Sequence, residues 1–332
     1  MLTTVELNGF KSFYSETIDL NRLTVLTGLN SSGKSSVIQA LRMIDRLCRK
    51  HSVLLPGYGD YKELKNQHYS APMTIRVSDD EGNIFETGEH SKEIVGGTYP
   101  QLLYISASRF GPQVSIPMFA TDDEPDELGQ NVVKSIDNHR DDIMNTILKR
   151  EDTEGNTYGY VLASWLKVIS PSMKFDYEIL QKADSSYTTF NGHRSKNVGF
   201  GLSYTLPVIA SLLLGTVKKN SIVIVENPEA HLHAKAQTEI AFLIALCVEA
   251  GAQVIIETHS DHLFDGLRIY VKEHPGFEKK MNCFWFELDE KGNTNTEKII
   301  VNKNGRIVNL VIPLHFMDQF EYNSNRILFG RQ

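Results

Sequence analysis

The residues best equipped for chemistry lie in three short segments. Gly28-Leu29-Asn30-Ser31-Ser32-Gly33-Lys34-Ser35 fits the spacing G-x-x-x-x-G-K-[ST]. Glycines let a backbone wrap closely around phosphate oxygens, and successive N–H groups at a helix start supply positive potential. In such a loop Lys34 reaches the β- and γ-phosphates of ATP and the Ser35 hydroxyl ligates Mg²⁺. Gly28, Asn30, Ser31, Ser32, Gly33 and Ser36 complete the expected phosphate contacts. The plainer reading, a Gly/Ser turn that caps a helix, is disfavoured by the apolar strand before the motif and the amphipathic helix after it. The second segment, Ser221–His233, reads SIVIVENPEAHLH. An apolar run ending in Glu226 suits a central strand whose carboxylate holds Mg²⁺, usually through water. The third, Val254–Ser260, is another apolar strand with a polar end. His259 lies one strand–helix–strand unit after Glu226, where an imidazole can hydrogen-bond a γ-phosphate.

These segments need elements to position them. Strands are expected at 2–7 and 17–26, with helical periodicity over 37–49 (Val37, Ile38, Leu41, Ile44, Leu47). Strands expected at 72–78 and 83–87, on either side of a turn at Asp80–Asn83, form an antiparallel appendage. Gln101–Ser106 is a further strand. Residues 110–196 are the least legible; helical patterns at 130–149 and 158–169 suggest an inserted helical lobe, with Asp122–Glu127 a solvated acidic loop. Then follow a helix within Gly199–Val217, a strand at Ser221–Val225, a helix at Lys235–Ala250, a strand at Ala252–Glu257, a helix at 261–273 and a strand at 282–288. Alternating strands and helices predict an α/β fold with a largely parallel core sheet. The expected divisions are 1–109, 110–196, 197–290 and a tail at 291–332.

Composition excludes several classes. The chain has 332 residues, 41% of them hydrophobic, enough for a core without disulfides or metals. Lys plus Arg is 34 and Asp plus Glu 41, so the net charge is −7. No strongly basic coat exists, and any DNA contact must come from a local groove or from a partner. Three widely spaced cysteines fit a reducing cytosol. No signal-peptide pattern opens the chain and no run of 18 apolar residues is present. Leu206–Val217 is expected to be a buried helix, and a cytoplasmic chain without membrane contact follows. His231, His233, His259 and His262 do not have the spacing of a closed zinc site. Asn302-Lys303-Asn304-Gly305 lacks the Asp of a guanine-reading motif.

Together the three segments resemble those of ABC-type ATPases, most closely the branch of RecF, the SMC heads and the OLD ATPases. Asn8-Gly9-Phe10-Lys11-Ser12-Phe13 resembles that branch's opening strand. ENPEAHLH at Glu226–His233 and ETHSDHL at Glu257–Leu263 resemble its Walker B and H-loop segments. Gly305-Arg306-Ile307-Val308-Asn309 followed by Phe316-Met317-Asp318-Gln319 resembles the short C-terminal domain of a small stand-alone subgroup. The resemblance implies a P-loop ABC-type head that dimerises around ATP. It also implies a signature segment before Walker B, for which Asn197–Ser203 is the candidate. There Gly201, Ser203 and the following helix would cap a γ-phosphate of the partner's ATP. His233 takes the D-loop position. Where most relatives carry a catalytic Glu, this chain has Asn227, and an amide cannot accept the proton of the attacking water. Glu229 or Glu226 is the substitute base, or ATP works mainly as a clamp.

The resemblance further implies a separate effector, a nuclease being one candidate, in an anti-phage or DNA-maintenance operon. A transporter subunit is the main competitor, but a strong signature and the catalytic Glu are both lacking. A small-molecule kinase would explain the phosphate loop but not His259. Arg109 reads as a solvated or paired charge, Gln67 as a weak Q-loop candidate and Lys11 as a candidate phosphate neighbour.

Overall fold

The computed structural model describes residues 1–332 apart from 121, 314, 315, 318–322, 325 and 329–332. Strands β1 (Leu2–Phe10) and β2 (Phe13–Asp19) form an antiparallel hairpin with Val5 opposite Ile18. Val5 and Leu7 are buried while Glu6 is half-buried, as a strand with one face on a core requires. The chain then changes sheets. The single strand expected over 17–26 is two, because Asn21 breaks it: the Asn21 N–H bonds Thr24 Oγ1. Strand β3 (Leu23–Gly28) enters a separate, fully buried sheet. Helix α1 (Lys34–Cys48) follows, starting before its first apolar residue. Helix α2 (Tyr61–Leu64) is capped by Asp60. Strands β4 (Thr74–Asp79), β5 (Ile84–Gly88) and β6 (Lys92–Val95) complete the antiparallel appendage, in the order β2-β1-β4-β5-β6.

Strand β7 (Gln101–Ile105) returns to the buried sheet. The helical lobe expected over 110–196 needs correction. Strand β8 (Ile116–Pro117) and helices α3 (Val132–His139) and α4 (Tyr158–Leu166) are joined by β9 (Phe175–Leu180), β10 (Ser185–Phe190) and β11 (His193–Arg194). These strands form a small antiparallel sheet. FDYEIL alternates apolar with acidic residues only over its first five positions, and SSYTTF carries just Tyr187 and Phe190 among Ser and Thr, so the apolar signal is thin. The helix expected over 130–149 stops at His139. The side chain of Asn145 then accepts the Ile147 N–H at the start of a single 3₁₀ turn, a competition that Asn readily wins against helix.

Helix α5 (Phe200–Val217), strand β12 (Ser221–Glu226), helix α6 (Ala234–Glu249), strand β13 (Gln253–Glu257), helix α7 (Asp261–Glu273) and strands β14 (Met281–Leu288) and β15 (Thr294–Ile299) complete the chain. The central sheet has the order β15-β14-β3-β13-β12-β7 and is parallel except at β15. It divides two cores. Helices α5, α6 and α7 cover one face, with Val223, Val225, Val254 and Ile256 turned toward them. Helix α1 and the antiparallel appendage cover the other, with Ile222, Ile224 and Ile255 turned that way. Parallel strands buried on both faces are near-continuous apolar runs for this reason. Helix α5 is 18 residues long and apolar enough by composition to cross a bilayer, but it is largely buried against β7, β12, α4 and α6.

One buried amide ties the appendage to the central sheet. Gln253, at the start of β13, accepts the Leu2 N–H (3.0 Å) and donates to the Leu2 carbonyl (2.7 Å) and the Asn21 carbonyl (3.2 Å). Gln253→Leu leaves those groups unpaired in a dry setting, so the chain should lose about 2 kcal/mol of stability. A denaturant midpoint unchanged from the parent would refute this.

Candidate functional site

Strand β3 and helix α1 present the phosphate loop. Gly28 ends β3 with φ +146°, and a Cβ there would lie 2.2 Å from the Phe286 carbonyl oxygen of β14. Gly33 opens α1 with φ +106°, and a Cβ there would meet the Thr294 hydroxyl at 2.6 Å. No other residue fits such close approaches. Thr294 also donates to the Ser32 carbonyl (2.8 Å) and meets Ser12 Oγ at 2.6 Å, so the start of β15 braces the loop from outside.

Inside the loop, Lys34 is 3% exposed. Its ammonium donates to the carbonyls of Gly28 (3.1 Å) and Leu29 (2.6 Å). Burial holds its pKa below the ordinary lysine value, against the opposing pull of Glu257. Ser35 Oγ lies 3.1 and 2.9 Å from the two carboxylate oxygens of Glu257. Glu257 was not among the expected site residues. The sheet order explains its place: β13, not β12, is the neighbour of β3, and Glu257 stands opposite Glu226 one strand nearer the loop. Glu226 accepts instead from the Tyr104 hydroxyl (3.0 Å) and the Ala107 N–H (3.0 Å). The structure therefore does not join Ser35 to Glu226, the expected pair for Mg²⁺. The clue was present, since Val254-Ile255-Ile256-Glu257 repeats the apolar-run-then-carboxylate pattern of Ile222–Glu226.

A cavity of about 480 Å³ opens over this loop. It gathers Asn30, Ser31, Ser32, Gly33, Lys34, Ser35, Ser36 and His259 from the expected set and adds Lys11, Ser12, Gln39 and Glu257. Lys11 lines the cavity and donates to Gln39 Oε1 (2.6 Å); Gln67 is exposed and does not line it. Burial, reinforced by the Lys34 charge, holds the His259 imidazole below its usual pKa. The backbone N–H of His259 donates to Glu229 Oε1 (3.1 Å). Glu229 Oε2 is buried and unpartnered, and burial raises the pKa of this carboxyl. Asn227 adopts φ +45°, and its N–H donates to the Glu257 carbonyl (2.7 Å).

Arg109 departs most from expectation. Read as a solvated or paired charge, it is 1% exposed. It donates to the carbonyls of Ser106 (3.1 Å), Glu226 (2.8 Å), Asn227 (2.8 Å) and Tyr204 (2.8 Å). Burial brings its pKa down to about 10, so it keeps its charge at neutral pH. It thus clamps the Glu226–Asn227 backbone to the first turns of α5; no local sequence feature announces this.

The candidate signature residues lie outside the cavity. Gly201 lies in the first turn of α5, where a Cβ would come within 3.0 Å of the His231 carbonyl oxygen. The Ser203 hydroxyl is buried without a partner, turned into the packing rather than outward as expected. The same turn exposes Phe200, which stacks on Tyr204 and lies beside His231. His233 caps α6 by accepting the Lys235 N–H. In the tail, Phe316 packs on Phe264 and Trp285, while Asp318 and Gln319 lie outside the described residues.

Glu257 sets a pH dependence. Burial, then the neighbouring Glu226 charge, raises its pKa to about 7. A raised carboxyl pKa stabilises the fold while the group is protonated. That contribution is complete below the unfolded value of about 4.3 and is lost as pH rises through 7. The nucleotide-free chain should therefore lose on the order of 2 kcal/mol between pH 5 and 8. Glu257→Gln should flatten this part of the profile in thermal melts, and an unchanged slope would reject the assignment.

Comparisons with known proteins bear on the family and the fold. The family model described as AAA ATPase domain matches residues 1–154 and 127–264. No curated protein matches the chain. An SMC head bound to the C-winged helix domain of ScpA is 12% identical, with a TM-score of 0.50 over 90% of this chain and 98% of that one. RecF with ATP is 13% identical, with a TM-score of 0.48 over 90% and 99%. An SMC head from Thermotoga maritima is 13% identical, with a TM-score of 0.43 over 90% and 98%. At such identity the first of these likenesses is one of fold. On the family match, which takes in well over half of its length, the chain belongs to the AAA ATPase domain family.

Proposed function

We propose that the chain binds and hydrolyses ATP with Mg²⁺, dimerises around the nucleotide and passes the resulting change of shape to a separate effector protein. The contact of Ser35 with both oxygens of Glu257, beneath Lys34 and beside His259, carries this reading. A hydroxyl and a carboxylate at the foot of a phosphate loop are hard oxygen donors, which suit Mg²⁺. Ser35 and Glu257 would hold it, with Glu226, the carboxylate expected to hold it through water, one strand farther away. Mg²⁺, when bound, offsets charge on the phosphates.

The chain's own groups do the rest. Lys34 exchanges the carbonyls of Gly28 and Leu29 for phosphate oxygens. The loop amides and the α1 N-terminus receive the remaining phosphate charge. His259, held neutral, donates a hydrogen bond to the terminal phosphate. Glu229 is the base we favour: its Oε2 is buried, and burial raises the pKa of the carboxyl, which makes it a better proton acceptor than a free carboxylate. Arg109 is a positioning residue that fixes the Glu226–Asn227 turn. Gly201 and the exposed Phe200 at the start of α5 face the second protomer. The reading divides the chain at 109, 196 and 290, and the three free cysteines support a cytosolic setting. An effector with nuclease activity, in anti-phage defence or DNA maintenance, is the biological form of this proposal. Asn227 favours a second reading, an ATP clamp without turnover.

Phosphate release by the purified chain with Mg²⁺ and ATP tests both. The parent should release phosphate, and Lys34→Ala should release at least about 100-fold less. Glu229→Gln should lower turnover about 100-fold while leaving ATP affinity within a few-fold. Release unaffected by Glu229→Gln would remove that residue as the base. ATP-dependent dimerisation with no release would establish the clamp.

A further inference from the structure

A second cavity, of about 1060 Å³, shares no lining residue with the phosphate cavity. It is a groove between β9 on one side and α3 and α4 on the other. Strand β9 pairs with β10 along one edge, from Phe175 opposite Phe190 to Leu180 opposite Ser185. Among the described residues its other edge has no strand partner. The Tyr177 N–H donates to Asp176 Oδ1 (2.9 Å) rather than to β10. Antiparallel pairs alternate, so Phe175, Tyr177 and Ile179 direct their peptide groups away from β10, to the free edge. Their side chains are partly buried against the main core, and Ile136 and Leu162 add apolar lining.

The charge is one-sided. Asp137, Asp141, Asp176 and Glu178 line the groove against Arg140 and Lys182, four carboxylates to two cations. Arg140 already leans on Asp137 (3.9 Å) and Asp141 (3.7 Å). Asp176 and Glu178, on the strand itself, form no ion pair among the described residues. An open strand edge is a template for another strand. This one repels phosphate backbones and attracts Lys and Arg at alternate positions of an added strand, where cross-strand charges meet.

We propose that the groove takes an extended, basic segment of a partner protein, added to β9 as a further strand. The six residues of β9 span about 20 Å, enough to seat five or six residues of such a segment. The docking is independent of the nucleotide reading and holds whether or not the chain turns over ATP.

The test is selection of displayed random peptides against the full chain, followed by titration of synthetic copies of the winners. Enriched peptides should be free of internal proline and should carry Lys or Arg at every second position. Ile179→Pro removes a free-edge amide that the β9–β10 ladder does not use. It should weaken binding at least about tenfold. The exposed pair Glu178→Lys and Asp141→Lys should weaken it about fivefold, which keeps the test decisive if the proline variant misfolds. ATP binding should be unchanged in every variant. Selection that yields no basic extended peptide, or binding indifferent to both variants, overturns the proposal. A change in the chain's own oligomeric mass on Ile179→Pro would make a second copy the occupant and overturn it equally. Direct binding of single-stranded RNA to the chain, abolished by Ile179→Pro, would do the same.

Discussion

The site depends on the insertion of β13 between β3 and β12. That order carries the phosphate loop, two carboxylates and an imidazole to one end of the sheet from three neighbouring strands. It sets Glu257 under Ser35 and leaves Glu226 one strand away, held by Tyr104 and Ala107. Parallel strands in strict register make this placement rigid: a slip of one residue would turn Glu257 into the opposite core. The polar cluster is tolerated because each strand end emerges from an apolar run buried on both faces, which supplies the stability that the clustered carboxylates subtract.

Around that cluster, backbone carbonyls do much of the positioning. Arg109 spends all three of its nitrogens on carbonyls of the Ser106, Glu226, Asn227 and Tyr204 peptides. A buried guanidinium is costly unless every donor is satisfied, and here each nitrogen has a partner. The result joins the turn after β12 to the start of α5. A movement of α5 would be transmitted to Asn227 through one side chain.

Legibility in the sequence followed burial. Strands β7, β12, β13 and β14 and helices α6 and α7 are legible to within a residue or so, because strands buried on both faces and long periodic helices carry dense apolar signals; β3 is legible only as part of a longer strand, because Asn21 breaks the run. The phosphate loop was read from its glycines, whose close approaches to Phe286 and Thr294 account for them. Glu257 was passed over because the sequence does not show which strand neighbours β3. Arg109 was passed over because its partners are carbonyls, which every residue type possesses. The strands of the 110–196 segment and β15 were hidden by alternation with polar residues, and the long helix expected from residue 130 was cut short where Asn145 begins a new turn.

The braces on the phosphate loop come from far along the chain. Phe286 and Thr294 lie more than 250 residues after Gly28 and Gly33, yet they form the wall against which those glycines fit. Contacts of such sequence separation form late. During synthesis the motif leaves the ribosome more than 250 residues ahead of that wall and stays unbraced until Phe286 and Thr294 have been made. A nucleotide pocket assembled in that order cannot mature on a nascent fragment, so the commitment to bind follows completion of the central sheet.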